Sequence, residues 1–111
     1  GARFAIYTGK ALGGAEAMRQ RERNRIMAQA QDMGLEVTWE YDDSPDLSWM
    51  TDAERAQPHE VLGCIVRDRR GAALASLWGI VDADARYAAE IECQLLAESM
   101  AEVRASVLDA I

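Results

Sequence analysis

The stretch that decides the fold is Glu60–Asp109, EVLGCIVRDRRGAALASLWGIVDADARYAAEIECQLLAESMAEVRASVLD. Its first two segments, Glu60–Asp68 and Ala72–Val81, are strongly apolar and are separated by a short polar turn that contains glycine. This pattern predicts a β-hairpin. Asp82 or Asp84 then stands where a helix N-cap is expected, and the composition of Ala85–Asp109 predicts one long helix.

Upstream, the clearest pattern is the alternation of apolar and polar residues from Leu35 to Asp42. A period of two predicts a strand with one buried face and one solvent-exposed face. The composition of Ala15–Met33 predicts a helix that ends at Gly34, because glycine tolerates the positive φ of a C-terminal cap. A short strand is predicted at Arg3–Thr8.

The predicted order of elements is β-α-β-β-β-α. This order indicates an α+β fold, with a mainly antiparallel sheet of three to four strands and two helices packed on one face. Residues 1–111 are expected to form a single domain. Strand alternation places Trp39 and Trp78 in the core, whereas Trp49 lies in a polar connector and is a better candidate for an interface.

The last helix carries two apolar stripes, which lie about 110° apart around its axis. The stripe in its first half is expected to meet the sheet. The other is expected to meet either a second copy of the chain or the N-terminal helix, and it is the candidate for homodimer formation. The residues of this self-association candidate are Leu96, Met100, Val103 and Val107.

The chain has a net charge of −7, and the segment Glu36–Glu60 contains eight acidic residues against Arg55 alone. A surplus of negative charge argues against nucleic-acid binding and favours a basic protein partner. A basic cluster within Arg19–Arg25 is the exception, and its role stays open. The candidate partner-binding residues come from the acidic segment and from an acidic ridge on the last helix: Asp42, Asp43, Asp46, Trp49, Glu98 and Glu102.

No catalytic, metal or cofactor motif is recognisable. His59 is the only histidine, so a histidine-based metal site or catalytic triad has at most one member. The two cysteines, Cys64 and Cys93, lie in apolar patterns and are expected to be reduced and buried. A non-enzymatic protein is therefore expected. The alternative is a small ligand-binding or enzymatic domain with a cleft near Trp49, His59 and the Asp42–Asp46 loop.

No apolar run approaches the roughly 20 residues of a membrane-spanning helix. The expected location is therefore the cytoplasm, with no membrane partner and no cofactor.

The motifs Asp46-Leu47-Ser48-Trp49 and Ser76-Leu77-Trp78-Gly79-Ile80 are followed by a helix that bears Tyr87 and Glu90. Over about Trp39–Glu102 this pattern is similar to a group of short proteins from bacteriophages and other mobile elements. Val81 departs from it, since an acidic residue is usual there. The resemblance implies a setting inside a bacterial host and no particular activity. The resulting hypothesis is an accessory protein that binds a host protein, as an acidic inhibitor of nucleic-acid-handling or defence machinery.

Overall fold

The computed structural model describes residues 14–109, with side chains from residue 19 onward. The predicted strand at Arg3–Thr8 lies outside the described residues. The described elements are α1 (Gly14–Asp32), β1 (Glu36–Tyr41), α2 (Asp52–Arg55), β2 (Val61–Arg67), β3 (Ala73–Val81) and α3 (Ala85–Asp109).

The three described strands form one antiparallel sheet in the order β1-β2-β3. The predicted hairpin is formed by β2 and β3, and Asp68 closes its turn. The Asp68 carboxylate accepts hydrogen bonds from the backbone N–H groups of Arg70 (2.8 Å) and Ala72 (3.0 Å). Gly71 completes the turn with φ +87°, a conformation that costs glycine little.

The helix ends predicted from capping residues are confirmed. After α1, Gly34 has φ +75° and its N–H donates to the Gln31 carbonyl at 3.0 Å. Before α3, the Asp84 carboxylate accepts a hydrogen bond from the Tyr87 N–H at 2.8 Å, so Asp84 rather than Asp82 caps this helix.

Helices α1 and α3 cover one face of the sheet, which we call the inner face. The α+β prediction is therefore confirmed for the described residues, with an antiparallel sheet and helices packed on it. The buried core between these layers consists of Ala30, Leu35, Trp39, Cys64, Val66, Ile80, Ala88, Ile91, Leu95, Leu96 and Met100.

Both apolar stripes of α3 contribute to this core. Leu96 and Met100, from the second stripe, belong to the same buried cluster as Ala30 of α1. Val103 packs against the cluster, whereas Val107 is 57% exposed. The side chains of Leu96 and Met100 are therefore covered by other residues of the same chain. Val107 is the member of the self-association candidate that is exposed.

A β-bulge in β3 interrupts the predicted alternation, so side chains of this strand point to other faces of the sheet than expected. Leu62 pairs with Ile80 and Cys64 pairs with Leu77, so both Trp78 and Gly79 lie opposite Gly63. Gly79 adopts φ +73°. The extra residue turns Trp78 away from the core, and its side chain is 46% exposed. The prediction that Trp78 is a core residue is wrong.

Candidate functional site

The sheet face opposite the helices, which we call the outer face, is where exposed aromatic and acidic side chains meet. Along β2, Val61, Gly63 and Ile65 alternate with the inner-face residues and therefore point to this side. Val61 and Ile65 are buried but lie outside the main core cluster. The outer face therefore has its own small apolar floor.

Trp78 lies directly on this floor. The six-membered ring of its indole occupies the space that a Cβ atom at position 63 would need. Gly63 is itself buried, so the ring packs against the β2 backbone on one side while nearly half of the side chain remains accessible. Glycine at position 63 is thus a steric requirement for this placement of Trp78.

Two carboxylates approach the part of β3 that carries Trp78. Glu40 pairs with Gly63 across β1 and β2, so its side chain projects from the same face as the ring. The Asp42 carboxylate accepts a hydrogen bond from the Gly79 N–H at 3.1 Å. That N–H belongs to the residue after Trp78 and is presented by the bulge. Strand pairing therefore brings Glu40, and this hydrogen bond brings Asp42, close to an exposed aromatic ring.

Arg67 also lies on the outer face, but farther along β2. Its guanidinium donates to the Thr38 hydroxyl at 2.8 Å, and its closest approach to a Glu40 carboxylate oxygen is 3.9 Å. The side chain of Glu40 is half exposed. An exposed pair at this distance contributes little and leaves most of the Glu40 charge accessible to other cations.

The acidic connector between β1 and β2 is held in shape by its own polar contacts. Thr51 and Glu54 form a capping box, with hydrogen bonds of 2.9 and 3.1 Å in the two directions. The Arg55 guanidinium donates to the carbonyls of Leu47 and Met50 and pairs with Asp52. The only arginine of the Glu36–Glu60 segment, which contains no lysine, is therefore used internally.

His59 joins this connector to the end of the hairpin. One ring nitrogen, Nδ1, lies 2.7 Å from the Asp82 carboxylate, and the other, Nε2, lies 2.6 Å from the Glu54 carbonyl. Asp82 adopts φ +49° and also accepts a hydrogen bond from the Glu60 N–H at 2.9 Å. Because both ring nitrogens face acceptors, only the doubly protonated imidazolium donates to both.

The pKa shifts of the pair agree with this geometry. The hydrogen bond to Asp82, followed by the one to the Glu54 carbonyl, raises the pKa of His59 above its ordinary value. The same contact with His59 lowers the pKa of Asp82. Each partner thus favours the charged form of the other. His59 therefore links α2 to the end of β3, a contact that the sequence did not indicate.

An open groove of about 510 Å³ lies between the connector and the adjoining ends of β1 and β2. Its lining includes Tyr41, Asp42, Arg55 and His59, close to the cleft predicted as an alternative site. Trp49 does not line it. The polar groups in the groove are engaged with one another and with backbone, as the Arg55 and His59 contacts show.

The structure places the predicted partner-binding residues on two separate elements. Asp43, Asp46 and Trp49 are exposed on the connector, and Trp49 has 66% of its surface accessible. Glu98 and Glu102 are exposed on α3, which covers the inner face.

Within the basic cluster of α1, two of the four arginines have local partners. Arg25 pairs with Glu22 at 2.5 Å, and Arg23 donates to the side-chain oxygen of Gln20 at 2.8 Å. Arg19 and Arg21 are exposed. Intramolecular contacts therefore account for half of this cluster.

Sequence reasoning missed a buried carboxylate in the core. Glu92 of α3 is only 3% exposed, and its Oε2 accepts a hydrogen bond from the Trp39 indole Nε1 at 2.6 Å. Ala88 and Leu96, four residues before and after it, are buried on the same side of the helix. That i, i+4 spacing is the signal that could have located Glu92 inside.

Both cysteines are buried and are not joined to each other, as expected. Burial raises the pKa of Cys64 to about 12, with a further contribution from the charge of Glu92. Burial likewise raises the pKa of Cys93 to about 11. Thiols of this kind remain protonated at neutral pH and are poor nucleophiles. They act here as packing groups.

Among residues 14–109, no three His, Cys, Asp or Glu side chains are grouped so that they could hold a metal ion. None of the described helices is long and apolar enough to cross a membrane. Compared with known protein families, curated proteins and solved structures, the chain matches none of them significantly.

Proposed function

We propose that this chain is a non-enzymatic binding protein whose partner is a protein with a basic segment. The observation that carries the proposal is the acidic connector with its exposed tryptophan. Asp43, Asp46 and Trp49 are exposed there, and the one arginine of the segment is occupied by backbone carbonyls and Asp52. The charges of Asp43 and Asp46 are therefore presented to solvent.

Charge and aromatic character act differently in such a contact. A chain of net charge −7 attracts basic partners over a distance and accelerates their association. An exposed tryptophan supplies a large apolar contact area. Tryptophan is among the residue types most enriched at the interface positions that contribute most to binding energy. The connector offers both features within eight residues, from Asp42 to Trp49.

The resemblance to short bacteriophage and mobile-element proteins suggests where the partner is found. In that setting the partner is a protein of the bacterial host, and a basic surface is typical of machinery that handles nucleic acids. An acidic protein that occupies this surface competes with the nucleic acid for it. Inhibition of nucleic-acid-handling or defence machinery is therefore the form of activity we propose.

The proposal is tested by binding of synthetic peptides, measured calorimetrically at low and high salt. The probes are a peptide that alternates arginine and serine and its counterpart with glutamate in place of arginine. We expect binding of the basic peptide alone, weakened by salt. The double substitution Asp43→Asn with Asp46→Asn should reduce affinity about threefold to tenfold.

The matched control carries the same loss of charge on α3, Glu98→Gln with Glu102→Gln. It should leave binding within about twofold of the wild type. Equal binding of the basic and acidic peptides would contradict the proposal, and so would an absence of binding to both.

A second candidate is a small-ligand site in the groove beside His59, favoured by the 510 Å³ of open space there. Its polar lining is already hydrogen-bonded, which leaves less of it to recognise a ligand. A thermal-shift screen with metabolites separates the two candidates. A ligand at 100 times its dissociation constant adds about 2.7 kcal/mol to the free energy of unfolding.

A further inference from the structure

The most specific recognition feature of the molecule lies beside the connector and not on it. Trp78 is half-exposed on the outer face, where its ring rests on Gly63 and has no room to settle deeper. A ring fixed in this way loses little conformational entropy when a partner packs on it. Trp49, by contrast, is an exposed side chain of the connector, between β1 and α2.

The charges around Trp78 determine what it can bind. Glu40 projects from the same face of the sheet, across from Gly63. The Asp42 carboxylate accepts a hydrogen bond of 3.1 Å from the backbone N–H of Gly79, the residue that follows Trp78 in the chain. Carboxylates beside an aromatic face attract a cation, since the face of the ring also carries negative potential. An anionic partner such as a phosphate group is repelled by the same arrangement.

Among biological cations, arginine fits this arrangement better than lysine. A guanidinium group is planar, stacks on an indole ring, and can donate to carboxylates at its edges while it is stacked. An ammonium group is a compact and strongly hydrated charge, and it cannot make both contacts with equal ease. The combination of one ring with the nearby carboxylates of Glu40 and Asp42 therefore favours a guanidinium.

We propose that Trp78, Glu40 and Asp42 form a seat for an arginine side chain of the partner protein. The inference rests on the proposed function, because it assumes that a basic segment binds to this chain. It adds the position of the contact, on the outer face of the sheet, and the residue type that occupies it. The negative charge of the connector then attracts the basic segment as a whole, and the Trp78 ring selects arginine over lysine.

The experiment uses the arginine–serine peptide and a lysine–serine peptide of equal length, titrated against the folded full chain. Trp78→Ala is compared with Trp49→Ala, which removes the same side chain from another exposed position. We expect Trp78→Ala to weaken binding of the arginine peptide about fivefold to tenfold. Trp49→Ala should weaken binding of the arginine and lysine peptides by the same factor. The lysine peptide should bind more weakly than the arginine peptide to the wild type and to Trp49→Ala, and equally well to Trp78→Ala.

Two further variants retain Trp78, so they test the proposal even if Trp78→Ala fails to fold. Glu40→Gln changes a half-exposed side chain, and it should weaken the arginine peptide about twofold to fivefold. Gly63→Ala retains Trp78 but displaces its ring, so it should remove the preference for arginine over lysine. Circular dichroism establishes that each variant is folded.

The outcomes separate this inference from the proposed function. If the basic peptide binds but Trp49→Ala or the Asp43 and Asp46 substitutions weaken it while Trp78→Ala does not, the arginine seat is wrong and the proposed function stands. If no basic peptide binds to the wild type, both are wrong. If the wild type binds the arginine and lysine peptides with equal affinity, the arginine seat is wrong and the proposed function stands.

Discussion

The two faces of the sheet are built from the same three strands, yet they differ in almost every property. The inner face carries Trp39, Cys64 and Val66 under two helices, and these side chains are buried. The outer face carries a thin apolar floor with Trp78 lying on it and the side chain of Glu40 projecting from the same side. One face holds most of the buried core, and the other is the face on which we propose that a partner binds.

For Trp78 the difference arises from one extra residue in β3. Without the bulge at Trp78 and Gly79, strict alternation would place Trp78 on the inner face together with Ile80. The bulge moves this aromatic side chain outward and aims the Gly79 N–H at Asp42. Bulges commonly re-aim side chains in this way. A local irregularity thus separates Trp78 from the buried residues of its own strand.

The largest expected effect concerns the inner face, at Met100, which is 3% exposed. Met100→Ala removes buried volume and should lower the free energy of unfolding by about 2–5 kcal/mol, measured by denaturant unfolding. The control Val107→Ala lies on the same helix at an exposed position and should change it by less than about 0.5 kcal/mol.

Light scattering on the same proteins tests the self-association candidate. A wild-type monomer would remove it. A wild-type dimer that Val107→Glu converts to a folded monomer would place the contact at the exposed end of α3. A small effect of Met100→Ala on stability would contradict the division between the two faces.

The next effect concerns the buried hydrogen bond between Trp39 and Glu92. Trp39→Phe keeps an aromatic ring but removes the Nε1 donor that lies 2.6 Å from the Glu92 carboxylate. The loss of a hydrogen bond to a buried charged group should cost about 1–3 kcal/mol in thermal or chemical unfolding. Trp49→Phe serves as the control because Trp49 is exposed. Equal stability of the two variants would mean that the indole N–H is not important.

A smaller effect is expected for Gly63→Ala on the outer face. The added methyl group overlaps the ring of Trp78 and displaces it toward solvent, so the expected cost is about 1 kcal/mol. Tryptophan emission should shift to longer wavelength as the ring becomes more exposed. In the background Trp78→Ala the same substitution should cost less. A double-mutant cycle measures this coupling, and strict additivity would contradict direct contact.

The smallest effect depends on pH and concerns His59. Its raised pKa stabilises the fold fully below about pH 6.5, and this contribution is lost as pH rises through the pKa of the folded state. The lowered pKa of Asp82 stabilises the fold above about pH 3.8, and this contribution is lost as pH falls. Between these values, His59→Ala should lower the unfolding temperature more than it does in alkaline solution. A difference that is constant across pH would show that the contact does not depend on charge.

Much of this fold could be predicted because its signals are local. The capping residues Asp84 and Thr51, the turn glycine Gly71 and the length of α3 each follow from chemistry within a few residues. The alternation from Leu35 to Asp42 correctly predicted β1 and the burial of Trp39. It failed at Tyr41, which is 72% exposed, because the end of a strand extends beyond the helices that cover the rest of it.

The candidate site was only partly predictable, and for a physical reason. Asp43, Asp46 and Trp49 were selected from composition, and all three are exposed. Trp78, Glu40 and His59 acquire their roles from residues distant in the chain. The ring of Trp78 lies on Gly63, Glu40 pairs across β1 and β2, and His59 contacts Asp82, 23 residues away. Such contacts leave no signal in local periodicity.

The sequence alone determined the elements, their order and the excess of negative charge, because helix, turn and strand preferences and formal charge are properties of neighbouring residues. The tertiary structure decided which side chains share a surface. It placed the β3 bulge opposite Gly63, brought Asp42 to Gly79, and buried Glu92 against Trp39. These outcomes depend on strand register and on packing between distant segments, and both are settled only when the whole chain folds together.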